Sequence, residues 1–392
     1  MPNFWVAASL LWLAGVGLRL TILAVPPVIT LIQHDLQLSG TEIGILSGLP
    51  VILFAVAALP GSLLIARFGA LSTLVIGLVV AGVASGLRGA VLNVYVLYGA
   101  TILMSAGIAI MQPSLPPLVR AWMPHRISFG SALYSNGLLV AETLAVLRTI
   151  PFVLPLVGDS WRWSLAVWGL PLVAIAFLTW VIAPRSEDTS SLAPEAGRSW
   201  WPDWSNKLIW QTGFLFASVN SIYFCSNAFL PGHLTAAGRP DLVGHALTAL
   251  NFGQLPASFA LLAIAARIER RAWPFISCGA LMLACVVGMA ATANLWTVFF
   301  AGWLGFLGAV VMTLGFGLPA LLAAPADVAR MSAAMFTISY GSALVISVLS
   351  GAAWDLAGEP RFAFLPIALS ALPLLFVPQA IPFHGVSGKA KM

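Results

Sequence analysis

Four ionisable side chains stand inside long apolar runs: Arg19, Arg88, Glu142 and Arg148. A charge at bilayer depth costs about 2.5–3.5 kcal/mol on insertion scales, so it faces a bundle interior where a counter-charge, water or an anionic ligand compensates it. Arg19 sits mid-run in LLWLAGVGLRLTILAVPPVI, on a helical stripe with Trp12, Gly15, Val16 and Leu23. Its planar fork of donors suits a carboxylate, nitrate or other flat anion. The competing assignment is an ion pair with Glu142. Arg88 shares a face with Gly77, Ala81 and Ser85; small residues allow close helix approach and would turn it inward, towards a ligand or Glu142. The alternative is snorkelling to the surface. Glu142 lies with Ser131 and Ser135 on one face, and three roles fit: neutraliser of an arginine, proton carrier, or neutral buried acid. With two arginines in the same half, the paired form is favoured. Arg148, just before Pro151, reads as an entrance or snorkelling residue.

The second half of the chain offers neutral groups instead. Asn220, Tyr223 and Asn227 recur at 3–4 spacing, followed by Asn251, Gln254 and Tyr340. They would supply orienting hydrogen bonds and an aromatic wall to a solute, or plain helix–helix hydrogen bonds. The cysteines Cys225, Cys278 and Cys285 have no metal or redox spacing and read as small buried hydrophobes. The histidines His34, His125, His233, His245 and His384 fall in or near expected loops. No phosphate-binding loop, zinc-protease pair or nucleophile elbow occurs, so neither ATP hydrolysis nor another enzymatic activity is expected, and no cofactor or metal.

The elements that must position these groups are helices in a membrane. The chain is 60% hydrophobic and 8% charged, against about 25% charged in soluble domains. Repeated apolar runs of about 20 residues argue for helices rather than barrel strands. Twelve spans are expected: 5–29, 43–65, 71–91, 95–118, 128–152 and 162–183, then 207–230, 244–266, 272–293, 295–320, 331–353 and 362–381. Turns are expected at Gln33–Thr41, Ala66–Ala70, Asn93, Arg120–Arg126 and Gly158–Trp161 in the first half, and at Gly232–Val243, Arg267–Arg271, Asn294, Ala323–Arg330 and Trp354–Arg361 in the second. Met1-Pro2-Asn3 lacks a basic start, and the first apolar run is too long for a cleavable signal.

Placing both termini in the cytoplasm puts Arg67, Arg120, Arg126, Arg185, Arg198, Lys207, Arg267, Arg270, Arg271, Arg330, Lys389 and Lys391 inside. Only Arg162, Arg239 and Arg361 then lie outside, the bias that orients membrane proteins. This placement explains the net charge of +5 without nucleic acid. LPPLVRAWMPHR…YSNG and LPALLAAPADVAR…ISYG repeat at an offset of 203–204 residues, which implies duplicated halves. The expected organisation is a six-helix half over 1–183, a cytoplasmic linker over 184–206, a second six-helix half over 207–381 and a short tail over 382–392.

This layout resembles the major facilitator superfamily. That superfamily's signature between the second and third helices, roughly G-x-L-a-D-R-x-G-R, is matched by Arg67 and Gly69, while Ala66 and Ala70 replace its acidic and final basic residues. Within it the sequence is similar to the cyanate permease and nitroimidazole transporter family. Leu18-Arg19, Pro26-Pro27, Leu38–Leu49, Gly86-Leu87-Arg88, Gly107–Val119, Tyr134–Gly137 and Trp161–Pro171 carry that likeness. The resemblance implies an all-α integral membrane protein of the major facilitator fold. It also implies a secondary active or facilitative transporter of a small anionic solute (cyanate-, nitrate- or carboxylate-like) in the bacterial inner membrane. Alternating access would have the two halves rock about a mid-membrane site, with Arg19 and Arg88 on the solute's charge and Asn220, Tyr223, Asn251 and Tyr340 closing over it. Protons or a counter-anion are the candidate coupling partners, and a monomer is expected. The alternative is a proton-driven exporter of small aromatic or nitroimidazole-like compounds. A remote alternative is a membrane sensor that does not transport.

Overall fold

The structure, a computed structural model, describes residues 3–38, 40–184 and 200–383. Among the expectations above, those for Arg185, Arg198, His384, Lys389, Lys391, most of the linker, the tail and the chain start at Met1-Pro2 lie outside these residues. The fold is all-helical. Eleven segments of the described residues are long and apolar enough to cross a membrane.

The first crossing is built from three pieces: α1 (Phe4–Gly17), α2 (Leu20–Leu23) and α3 (Ile29–Leu36). This corrects the expectation of one helix over 5–29, and it carries helix into the expected turn, to a left-handed cap at Gln37. Next comes α4 (Gly40–Leu87), which holds two crossings where a loop over Ala66–Ala70 was expected. The turn narrows to Gly69, whose φ of 81° and ψ of 162° leave the helical region and favour glycine. The chain folds back there: a Cβ on Gly61 would meet Ile110, and one on Gly77 would meet Met111, adjacent residues of one neighbouring helix. In a straight helix those glycines would stand about 24 Å apart. Twelve crossings result among the described residues, the number the sequence leads one to expect.

The remaining elements of the first half are α5 (Val94–Met111), α6 (Leu115–Trp122), α7 (Ile127–Arg148), α8 (Trp161–Val167) and α9 (Leu170–Ile182). Those of the second are α10 (Lys207–Ala236), α11 (Val243–Phe252), α12 (Gln254–Ile268), α13 (Trp273–Ala291), α14 (Leu295–Leu322), α15 (Val328–Ala357), α16 (Phe364–Leu369) and α17 (Leu372–Phe376). The turns at Asn93 and Asn294 appear as N-caps, where each side chain accepts a backbone N–H of the helix it opens. The chain divides into two compact units, Met1–Pro202 with Pro325–Ala333, and Asp203–Ala324 with Ala334–Met392.

Helix packing in each unit relies on backbone contact rather than interdigitated bulk, as expected where lipid supplies no hydrophobic drive between helices. In the first unit α1 lies against α7 so closely that a Cβ on Gly15 would fall within 3.0 Å of the Tyr134 carbonyl. A Cβ on Gly137 would do the same to the Trp12 carbonyl. In the second unit Gly305 of α14 meets the Leu250 carbonyl of α11 in the same way. These approaches fix the helices that carry the polar groups.

Candidate functional site

The first unit holds the buried charge. Helical geometry runs through Gly17, after which the Leu18 and Arg19 amides bond back only three residues, to Gly15 and Val16 at 3.0 and 3.3 Å. Arg19 has φ −130°, outside the helix, and helix resumes at Leu20. It stops again at Leu23 because Pro26 and Pro27 have no N–H to give to the carbonyls of Ile22 and Leu23. Discontinuous spans are tolerated in membranes where the freed backbone groups are buried in protein.

Arg19 therefore projects from a break, not from a continuous helix. It is 7% exposed, its Nε lies 3.3 Å from Glu142 Oε1, and its guanidinium carbon stands 5.5 Å from the centre of the Phe54 ring. Glu142 comes from α7, which the Gly15 and Gly137 contacts hold against α1. Trp12 Nε1 donates to Asn136 Oδ1 at 2.9 Å across the same interface. Of the competing partners for Arg19, the structure places Glu142 beside it.

Arg88 goes elsewhere. Its side chain is fully buried, and Nη2 donates to the Thr21 carbonyl at 2.8 Å and to Ser85 Oγ at 3.1 Å. Ser85 Oγ in turn donates to the Leu165 carbonyl at 2.9 Å. Arg88 Nε and Nη1 meet no hydrogen-bond partner among the described residues. Arg88 thus neither pairs with Glu142 nor snorkels to a surface. Arg148 is exposed, stacks over Phe152 at 4.7 Å and opens a π-helical turn at Thr149–Val153, apart from the Arg19 group.

The second unit keeps its polar groups neutral and linked. Tyr223 OH donates to Asn251 Oδ1 at 2.6 Å. Asn251 Nδ2 donates to Asn227 Oδ1 at 3.1 Å, and Asn227 Nδ2 returns to the Tyr223 carbonyl at 2.9 Å. The three side chains form a half-buried ring of bonds between α10 and α11. Gln254 adds a long bond to the Asn251 carbonyl at 3.4 Å. Asn220, expected on the same stripe, turns to α15 instead and donates to Ser339 Oγ at 2.7 Å. Tyr340 is buried between Phe224 and Phe336, with ring centres 6.2 and 6.4 Å away.

Several partners carried no sequence signal of their own. Phe54 is one apolar residue among many, and Thr21 contributes through its carbonyl, which any residue possesses. Asp35 lay in an expected loop, yet it pairs with Arg162 and accepts from Trp161 Nε1 at 3.1 Å, tying α3 to α8. His233, expected near a loop, is buried in α10 and lies 3.0 Å from the Thr292 carbonyl. The three cysteines are free and buried, and no group of three or more metal-ligating side chains converges among the described residues.

Chemically, a guanidinium paired with a carboxylate beside an aromatic face can exchange that partner for a small anion, and a ring of amides with a phenol can orient a polar or flat molecule. Known proteins similar to this chain are transporters. A model of the Major Facilitator Superfamily matches residues 11–238. The chain is 26% identical to the uncharacterised transporter YycB of Bacillus subtilis (strain 168), over 69% of this chain and 66% of that protein. It is 26% identical to the 2-nitroimidazole transporter of Escherichia coli (strain K12), over 91% of this chain and 90% of that one. With the cyanate transport protein CynX of the same organism it shares 24% identity over 66% of each chain. Its fold matches the E. coli fucose:proton symporter FucP with a TM-score of 0.73 at 13% identity, covering 96% of this chain and 98% of the symporter.

Proposed function

The chain belongs to the Major Facilitator Superfamily and is a membrane transporter of a small solute rather than an enzyme; from that premise we propose that its solute is anionic, of the cyanate, nitrate or carboxylate class. It moves this solute across the bacterial inner membrane by alternating access, with both termini cytoplasmic, as a monomer. The observation that carries the reading is the Arg19–Glu142 pair at 3.3 Å. A pair buried in the membrane for stability alone is a weak device, because desolvation offsets most of its attraction. A guanidinium held by one carboxylate at the break of a span is instead a binding group with an exchangeable partner. An anion that takes Arg19 displaces Glu142, and charge balance is kept by a proton entering with the anion or by a counter-anion leaving. The neutral ring of Tyr223, Asn227 and Asn251 supplies orientation.

Uptake of nitrate, cyanate and acetate into vesicles reconstituted with the purified chain tests this. Arg19→Ala abolishes uptake of the transported anion, and Glu142→Gln alters its dependence on pH. Undiminished uptake of every anion in Arg19→Ala removes the anchoring role.

A second reading has its own support. Phe216, Phe316, Phe336, Tyr340, Phe224 and Tyr223 form a connected run of rings with successive centres 5.1–6.4 Å apart. Beside the amide ring, such a run suits a flat heteroaromatic solute, and the 2-nitroimidazole transporter is a relative across nine tenths of the chain. In this reading the protein exports such compounds in exchange for protons carried by Glu142. Tolerance to nitroimidazoles on expression that survives Arg19→Ala selects it.

A further inference from the structure

We infer that Arg88 is a positioning residue: its guanidinium substitutes for a missing backbone N–H in the first span and thereby holds the break from which Arg19 projects. The inference deepens the proposed role of Arg19 and rests on that reading for its consequence in transport.

In an unbroken helix the carbonyls of Thr21, Ile22 and Leu23 would accept from residues 25, 26 and 27. Pro26 and Pro27 remove two of those donors. The Val25 amide, the one donor left, bonds the Ile22 carbonyl at 3.3 Å rather than that of Thr21. The Thr21 carbonyl is left outside the backbone ladder and away from water, since Thr21 is fully buried. In a membrane interior every such group requires a partner. Arg88 Nη2 is that partner, at 2.8 Å. The donor is charged, which makes the bond shorter and stronger than a neutral one.

Arg88 is itself placed by neighbours. Its second Nη2 bond goes to Ser85, and Ser85 anchors to the Leu165 carbonyl of α8. Close backbone contact supports the same helix pair, since a Cβ on Gly89 would meet Ala166 and the Arg162 carbonyl at 2.9 and 3.1 Å. The break in the first span is therefore referenced to the third and sixth spans. Arg19 lies two residues before Thr21, and its carbonyl accepts from the Ile22 and Leu23 amides at 3.1 Å each. Release of Thr21 allows the short α2 to re-wind or slip, which redirects Arg19 away from Glu142. Both N–H groups of Nη2 are thus committed, one to the Thr21 carbonyl and one to Ser85.

Hydrogen–deuterium exchange on the purified full chain in detergent, with nitrate uptake in vesicles, tests the assignment. Arg88→Ala raises amide exchange across residues 18–25 about tenfold or more, the factor expected for losing a charge-assisted bond, while α5 and α7 keep their rates. Arg88→Lys, which retains one charged donor, recovers most of the protection. Pro26→Ala in the Arg88→Ala background restores an N–H for Ile22 and so returns the Val25 amide to Thr21; exchange falls back and uptake recovers. Unchanged exchange in Arg88→Ala overturns the inference, as does a rise that Pro26→Ala leaves in place. Uptake that stays lost once exchange is restored makes Arg88 a solute ligand and overturns it too. Where Arg88→Ala does not fold, Arg88→Gln against Arg88→Lys reads the same window. The exchange measurement needs no solute, so its outcome stands apart from whether Arg19 binds an anion.

Discussion

Replacing the buried pair by the residues that occupy its place in the second half separates stability from transport. The halves share a frame: Trp12 and Gly15 recur as Trp210 and Gly213, at an offset of 198 residues. Gly15 packs on Tyr134 and Gly213 on Ile338, residues that are themselves 204 apart. In that register Arg19 corresponds to Ala217 and Glu142 to Ile346. At 3.3 Å and an effective dielectric of about 20, the attraction within the pair is roughly 5 kcal/mol, against several kcal/mol of desolvation for each ion. The net worth of the pair is therefore near zero, while one member alone is an uncompensated charge. Arg19→Ala is expected to lower unfolding free energy by about 3–5 kcal/mol, and Arg19→Ala with Glu142→Ile to bring it back to about the starting value, the cavity left at position 19 offsetting the gain from removing both charges. Thermal unfolding of the purified protein in detergent reads the first quantity and anion uptake the second. The double variant regains stability and carries no anion. If the double variant unfolds as readily as Arg19→Ala alone, the pair is a net structural bond and the reasoning fails; if it still carries anions, Arg19 does not bind them.

Two further outcomes follow from the same contacts. Gly15→Ala and Gly137→Ala each push α1 from α7 by about 1 Å and lower stability by about 1–3 kcal/mol; the double variant loses less than the sum because one separation accommodates both methyl groups, whereas Gly341→Ala, at the matching position of the second half with open space around it, is neutral or stabilising by up to about 1 kcal/mol, all read by thermal unfolding. Tyr223→Phe removes the 2.6 Å bond to Asn251 and lowers stability by about 1 kcal/mol, with a larger loss in transport affinity than in maximal rate.

What could be read from the sequence was decided by how few alternatives it left. Apolar runs broken by Gly, Pro and Asn mark the crossings because the bilayer sets their length. Glu142 is the only acid deep in a span, so the pairing of an arginine with it was legible, though not which arginine. The break at Leu18–Arg19 was not legible. Neither residue disfavours a helix, and Pro26 and Pro27 account only for the second stop, at Leu23. The partner of Arg88 was hidden for a different reason: a main-chain carbonyl leaves no trace in a side-chain pattern. Asn220, Tyr223 and Asn227 share a stripe, yet seven residues span about 10 Å of helix, enough for a crossing neighbour to change. Asn220 consequently meets Ser339 of α15 while Tyr223 and Asn227 meet Asn251 of α11.

The two arginines that looked alike in the sequence have opposite chemical positions. Arg88 holds the backbone, giving Nη2 to the Thr21 carbonyl. Arg19 is set by that backbone and faces Glu142, the carboxylate whose place an anion takes in the function proposed above. Both depend on glycine contacts, Gly15 and Gly137 for Arg19, Gly89 for Arg88. The motifs Leu18-Arg19, Pro26-Pro27, Gly86-Leu87-Arg88 and Tyr134–Gly137, scattered over more than a hundred residues, thus converge on one device. Prolines open the first span, Arg88 closes the carbonyl they expose, and the tight α1–α7 contact delivers Glu142 to the arginine at the break. A duplicated frame alone needs none of these groups, since the matching positions of the second half carry Ala217 and Ile346. The charged device is therefore best explained by what it does to a solute, and its coupling to the break gives the first half a means to change Arg19's partner as the span moves.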